Sequence, residues 1–317
     1  MTNEKARRLL GQLAPLLGLI ILTVILAVSS PHFLTADNLV NVLRQSTVNA
    51  ILALGQLVVI ITAGIDLSIG SILGVSSVTL ALLLREGVPP LFAVLATLVL
   101  GVLIGLVNGL LLTRLRLPHP FISTLGTMNV ARGAAMILAS GVPISGLPDE
   151  FRSPFNDELF GIPAAVIVVA AAGGLIHVFL RRTVHGRDLF AIGGNREAAR
   201  LAGVPVGSRL ELAYAICGLM AALASLVLAA RMNSGFPLAG SGAELDAIAA
   251  VIIGGASFFG GVGTVSGTLI GALFMGLLRN GLNLLNVSAY WQMIVIGVVI
   301  VAAVVVDVLR ARKGDSN

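Results

Sequence analysis

The residues suited to chemistry are few. Asp66 and Ser68 stand in Gly64-Ile65-Asp66-Leu67-Ser68-Ile69-Gly70-Ser71, between two apolar runs. An acid there needs water, a partner or exposed helix N-termini, and Asp66 with Ser68 is well placed to cap the helix that starts at this point. Capping and a place on a polar pathway both fit. Asn108, Ser123, Thr124, Asn129, Arg132, Asn280 and Asn283 are further polar groups in or beside apolar runs, fit to line a passage or to bond neighbouring helices. The sequence has no GxSxG or HExxH pattern, and His32, His119, His177 and His185 are scattered. Its lysines are Lys5 and Lys313, so no phosphate-binding GxxxxGK[ST] loop exists. Any ATP used by this protein must be bound by another subunit. The single cysteine, Cys217, excludes an internal disulfide and a cysteine metal site.

The elements that must position these groups follow from composition. Hydrophobic residues make up 57% and charged residues 11%, and the mean hydropathy is +1.01; soluble domains carry about 25% charge. Near-spanning apolar runs recur along the chain, and lipid tolerates only helices and closed barrels. The segments are apolar on every side rather than alternating, which excludes a barrel. The expected fold is therefore all-α, a polytopic membrane bundle of about ten transmembrane or re-entrant helices forming one domain over 1–317.

The expected helices cover 13–30, 46–63, 68–84, 91–113, 120–140, 163–180, 209–230, 243–258, 263–280 and 290–309. With the N-terminus inside, Lys5, Arg7, Arg8, Arg114, Arg116, Arg181, Arg182, Arg187, Arg196, Arg200, Arg209, Arg310, Arg312 and Lys313 face the cytoplasm. Arg44, Arg85, Arg152, Arg231 and Arg279 face outward. This bias accounts for the calculated pI near 10.3 without nucleic acid. Ala27-Val28-Ser29 resembles a signal cleavage site, but an uncleaved first helix suits a polytopic chain. Outside, Asp149, Glu150, Asp157 and Glu158 form an acidic, proline-stiffened loop, either a docking rim or merely solvated. Gly101, Gly105 and Gly109 form one close-packing stripe, and Gly263, Gly267 and Gly271 another. Glycine-rich breaks at 63–71 and 254–264 accompany them, which reads as a weak internal repeat in which helices two to five are echoed by seven to ten.

The one long basic interruption, 181–209, contains a miniature helix from Arg196 to Ala202. Asn195 is its N-cap, Glu197 lies in the first turn, Gly203 follows and Pro205 blocks continuation. Seven residues are too few to stand alone in water, so something must hold it. Ala198, Leu201 and Ala202 form a narrow face able to enter a partner's groove, flanked by Arg196 and Arg200; packing on its own protein is the plainer possibility.

The segments ALGQLVVIITAGIDLSIGSILG (53–74), PHPFISTLGTMNVARG (118–133), GRDLFAIGGNREAARLAGV (186–204) and AVIIGGASFFGGVGTVSGTLIGA (250–272) resemble the permease subunits of ribose-type sugar ABC importers. The resemblance runs over nearly the whole chain. It implies a multi-pass protein of the bacterial inner membrane with both termini cytoplasmic, working by alternating access on a monosaccharide. Its implied partners are a second permease copy, a cytoplasmic ABC ATPase holding ATP and magnesium, and a periplasmic sugar-binding protein; this chain itself would hold no cofactor. The family's EAA, three residues, Gly pattern falls on Glu197, Ala198, Ala199 and Gly203, so ATPase coupling is expected at Asn195, Arg196, Glu197, Ala198, Ala199, Arg200 and Gly203. The I-x-L-P ending of other ABC importers is replaced by Val204-Pro205-Val206-Gly207. For the pathway or its helix breaks the candidates are Asp66, Ser68, Asn108, Phe121, Ser123, Phe258, Phe259 and Asn283. An ion-coupled carrier, using Asp66 with Glu244 or Asp246, and an ABC permease for branched-chain amino acids are the competing readings.

Overall fold

The computed structural model describes residues 2–159 and 161–314, with side chains over 15–159 and 161–309. The side chains of Lys5, Arg7, Arg8, Arg310, Arg312 and Lys313 lie outside the described residues. In chain order the elements are α1 (Thr2–Ser29), α2 (Ala36–Ile60), α3 (Ile69–Arg85), α4 (Pro90–Thr113), α5 (Pro120–Leu138), β1 (Ile144–Ser145), α6 (Asp149–Asn156), β2 (Glu158–Leu159) and β3 (Ile162–Pro163). The second half holds α7 (Ala164–Arg182), α8 (Val184–Gly194), α9 (Arg196–Leu201), α10 (Val206–Met232), β4 (Ser234–Gly235), α11 (Ala243–Ile253), α12 (Val265–Leu284) and α13 (Ala289–Gly314). This is a polytopic helical bundle. Among the described residues, 7 helices are long and apolar enough to cross a membrane.

All ten expected helices form, and local chemistry explains their ends. Proline starts α4 and α5 at a position whose N–H has no intrahelical partner. Thr264 accepts from Gly267 N–H to cap α12. Beyond shifts of a few residues, helix α1 begins at Thr2 rather than 13, and three further boundaries differ from expectation. Helix α2 begins at Ala36 rather than 46, because Asn38, Asn41, Arg44 and Gln45, which depress hydropathy, lie within the helix. The helix expected over 243–258 stops at Ile253, where Gly254 and left-handed Gly255 end it. Its 11 residues reach about 16 Å, roughly half the hydrocarbon thickness, so α11 is a half-helix. The first break is Ile61–Ser68 rather than 63–71.

The repeat is present in the packing. Helix α10 packs on α3 and α4, α2 packs on α11 and α12, and α2 meets α10 between them. Within the halves, α3 touches α4 and α5 as α11 touches α12 and α13. The glycine stripes do not mark that repeat. Gly101, Gly105 and Gly109 lie against Gly218, Tyr214 and Glu211 of α10, whereas Gly267 and Gly271 lie against Gly254 and Ala250 at the end of α11. The two breaks are not equivalent either: one joins α2 to α3, the other α11 to α12. Their resemblance in glycine content comes from a shared need for close backbone approach.

At the end of the bundle remote from α8 and α9, β1 pairs antiparallel with β4, and β2 with β3. The acidic loop there contains α6. Glu158 pairs with Arg44 of α2 at 2.5 Å and Asp149 with Arg152 at 2.9 Å. Exposed pairs of this kind stabilise little, so they orient the loop more than they hold the fold.

Candidate functional site

The segment between α7 and α10 contains two helices where one was expected. The unexpected one, α8, is capped by Thr183, whose Oγ1 accepts from Gly186 N–H at 3.0 Å. Its Leu189 and Ile192 are buried. Arg209 at the foot of α10 donates to Asp188 at 2.7 Å, with both side chains mostly buried, and Arg181 lies 5.9 Å over the Phe190 ring. Thr183 followed by Leu189 and Ile192 is the sequence signal for α8; the charges of Arg181, Arg182, Arg187 and Asp188 obscured it.

Helix α9 forms one residue shorter than expected. Asn195 Oδ1 accepts from Ala198 N–H at 2.9 Å, and Gly203 follows at φ 85°. Ala199 is turned inward and buried, which answers what holds so short a helix. Ala198, Leu201 and Ala202 remain exposed, Leu201 at 80%. Arg196 and Arg200 are exposed beside them, Arg200 pairing with Glu197 at 3.0 Å. A leucine so exposed, flanked by guanidinium groups, is a surface a partner could cover.

Helices α8 and α9 are tied to the interior by backbone. Gly261, in the second break, donates its N–H to the Ile61 carbonyl in the first break at 2.8 Å. Gly193 of α8 packs against both, so closely that a Cβ there would overlap the Ile61 carbonyl oxygen and the Gly261 nitrogen. Phe258 N–H donates to Asp307 of α13 at 2.9 Å, which anchors the other side of the second break. Phe258 is half-buried and Phe259 exposed. The two breaks and α8 therefore meet at one junction.

Directly beyond this junction Asp66, Ser68 and Asn108 form one fully buried cluster. Asp66 Oδ1 accepts from Ser68 N–H at 2.8 Å and from Ser68 Oγ at 2.6 Å, while Asn108 donates to Ser68 Oγ at 2.8 Å. Tyr214 donates to the Ile65 carbonyl at 3.3 Å. With its amide nitrogen facing the Asp66 carbonyl, Gln56 donates at 3.2 Å and accepts from Asp66 N–H at 3.1 Å. These bonds satisfy backbone that has left the helix, as irregular backbone at membrane depth requires. Asn108 stands five residues before the end of α4, roughly 8 Å by helical rise.

The other pathway candidates lie apart from this cluster. Phe121 is exposed on the first turn of α5; Ser123 is buried, donates to the Pro120 carbonyl at 2.9 Å and borders an apolar groove between α3, α4 and α5. Asn283 is at the remote end of α12, accepting from Gln292 at 2.8 Å. Arg132 of α5 donates to the Ala239 carbonyl at 3.1 Å, holding the non-helical segment before α11. Asn38 and Asn280 bond each other reciprocally at 3.1 and 2.8 Å, joining α2 to α12.

The chain has clear relatives. The family model described as branched-chain amino acid transport system / permease component matches residues 38–304. Ribose import permease protein RbsC of Bacillus subtilis (strain 168) is 43% identical over 298 residues, covering 93% of this chain and 92% of the relative. Its namesake from Escherichia coli (strain K12) is 44% identical over 296 residues, covering 92% of each. The D-allose transport system permease protein AlsC of Escherichia coli (strain K12) is 38% identical over 294 residues, covering 92% of this chain and 90% of the relative. No solved structure matches the chain.

Proposed function

The chain belongs to the branched-chain amino acid transport system / permease component family, and from that premise we propose that it is the membrane permease of an ATP-driven importer for ribose or a related monosaccharide. It is a multi-pass membrane protein and the non-catalytic part of the machine. ATP and magnesium are held by a separate cytoplasmic ATPase, and a binding protein delivers the sugar from the opposite side. Two copies of the permease pair in the bacterial inner membrane with both termini cytoplasmic, as the distribution of Lys and Arg favours.

The observation that carries this reading is α9: a capped helix held by Ala199 that leaves Ala198, Leu201 and Ala202 uncovered on the basic face. The ATPase docks there. When its halves close on ATP, α9 and α8 move together, and Gly193 presses on Ile61 and Gly261. The ends of α2 and α11 shift, and the bundle exchanges its inward and outward arrangements. No covalent step is needed from this chain. The Asp66 cluster keeps the break intact while it is pushed.

The substrate class is supported by near-full-length similarity to permeases named for ribose and allose. It is tested by uptake of labelled ribose into cells expressing the chain with its ATPase and binding protein. Unlabelled ribose or allose in excess should abolish uptake and leucine should not. Competition by leucine alone would move the substrate to the amino acids of the family description.

A further inference from the structure

A second polar site lies remote from α8 and α9. A cavity of about 410 Å³ opens between α2, α10, α11 and α12, within the roughly 300–1,000 Å³ of small-molecule sites. Helix α10 leaves α9 at Val206 and ends at Met232, so Arg231, on the cavity wall, marks the far end of the bundle.

One wall is a stripe of amides. Asn41, Gln45 and Asn49 are spaced four residues apart, which puts them on one face of α2. Gln45 donates to Asn41 Oδ1 at 3.0 Å. Asn49 Oδ1 is buried and has no partner among the described residues. Asn38 and Asn280, one turn away, by contrast satisfy each other across the same pair of helices. A polar oxygen left unpaired at membrane depth is costly unless a ligand or water uses it.

The facing wall is ionic, with two guanidinium groups, Arg231 and Arg279, and one carboxylate, Asp246. Asp246 of α11 is buried, and Arg279 of α12 donates to its Oδ2 through Nε at 3.0 Å and Nη2 at 2.5 Å. Both bonds end on one oxygen, leaving Oδ1 without a partner among the described residues. Arg231 spends one N–H on the Arg44 carbonyl at 3.0 Å. The Asp246 carboxylate offsets the Arg279 guanidinium and leaves the Arg231 charge over, and acceptors (Asn49 Oδ1, Asp246 Oδ1) stand on the same cavity as amide and guanidinium donors. A hydroxyl both donates and accepts, so a compound with several hydroxyls answers the acceptors as well as the donors of this wall, whereas an ionised acid only accepts and leaves Asn49 Oδ1 and Asp246 Oδ1 unanswered.

We propose that the cavity bounded by Asn49, Asp246 and Arg279 is a binding site for an uncharged polyhydroxylated ligand, the sugar itself on the outer side of the permease. It rests on the importer reading above. The site receives the sugar before passage and lends the permease a selectivity of its own.

The test uses the permease–ATPase complex in nanodiscs without binding protein, with D-ribose as the probe and saturation-transfer NMR as the readout. Wild type should give a saturable ribose signal that allose displaces and inorganic phosphate does not. Asn49→Leu and Gln45→Leu should weaken ribose binding at least tenfold, with Asn49→Gln within threefold of wild type. Gln45 is exposed, so its variant does not depend on repacking. Absence of ribose binding by wild type, unchanged binding in both leucine variants, or displacement by phosphate would overturn the assignment. ATP-driven ribose uptake by the same wild-type complex, moved into proteoliposomes and supplied with the binding protein, reports on the importer reading separately: uptake without binding in the nanodisc refutes this site alone.

Discussion

The N–H of Gly261 donates to the carbonyl of Ile61 at 2.8 Å, joining two helix breaks that lie 200 residues apart in sequence. Gly193 sits against that bond, with no room for a side chain. Whatever moves α8 must move both breaks.

Replacing Gly193 with valine should therefore separate docking from transport. The variant displaces α8 from the junction but leaves α9 exposed. We expect the ATPase to co-purify as with wild type while labelled ribose uptake falls at least tenfold. Unchanged uptake would show that the junction transmits nothing.

Glu197→Lys and Leu201→Asp should weaken association with the ATPase at least tenfold, measured by pull-down at fixed ionic strength. Glu197 makes only an exposed pair with Arg200, worth at most about 1 kcal/mol, and Leu201 is 80% exposed. Thermal unfolding of the isolated permease should hardly change. Normal co-purification and transport in both variants would remove α9 as the docking element.

Asp66 separates structural from ion-coupling roles. Asp66→Asn keeps the Oδ1 acceptor for Ser68, and the oxygen it replaces, Oδ2, bonds no described residue. Uptake should stay within about threefold of wild type. Asp66→Leu orphans the buried Ser68 N–H and should cost about 1–3 kcal/mol, seen as a lower melting temperature in detergent. Loss of transport in Asp66→Asn with unchanged stability would indicate proton coupling instead.

Gly105→Leu should impair folding, since even a Cβ there would overlap the Tyr214 carbonyl oxygen. Overpacking typically costs about 1–3 kcal/mol. At Gly174 a Cβ meets nothing, so Gly174→Ala should be neutral or stabilising by up to about 1 kcal/mol. Size-exclusion profiles of the two variants check this directly; equal behaviour would refute the α4–α10 contact.

The ten apolar helices were legible because hydropathy reports lipid burial directly, whereas α6 and α8, which with α9 bring the described helices to 13, were not. The α9 cap was legible because Asn195, Gly203 and Pro205 act locally. What escaped depended on partners distant in sequence. Helix α8 is a helix because Leu189 and Ile192 find the core and Asp188 finds Arg209, and none of those contacts is local. The start of α2 was misplaced because its amides look like a loop until α11 and α12 face them. The spacing of Asn41, Gln45 and Asn49 was readable as a helical stripe, but its meaning needed Asp246 and Arg279 opposite. The repeat was right in its pairing of helices and wrong in its glycine markers, since glycine records close approach to any neighbour.

The central claim is that ATP hydrolysed by another subunit drives this permease. Ribose uptake should be measured in proteoliposomes holding the permease, its ATPase and the binding protein, with ATP regenerated on the ATPase side and a protonophore present. Uptake that requires ATP and persists with the protonophore is the predicted result. Uptake that proceeds without ATP and collapses with the proton gradient would contradict it.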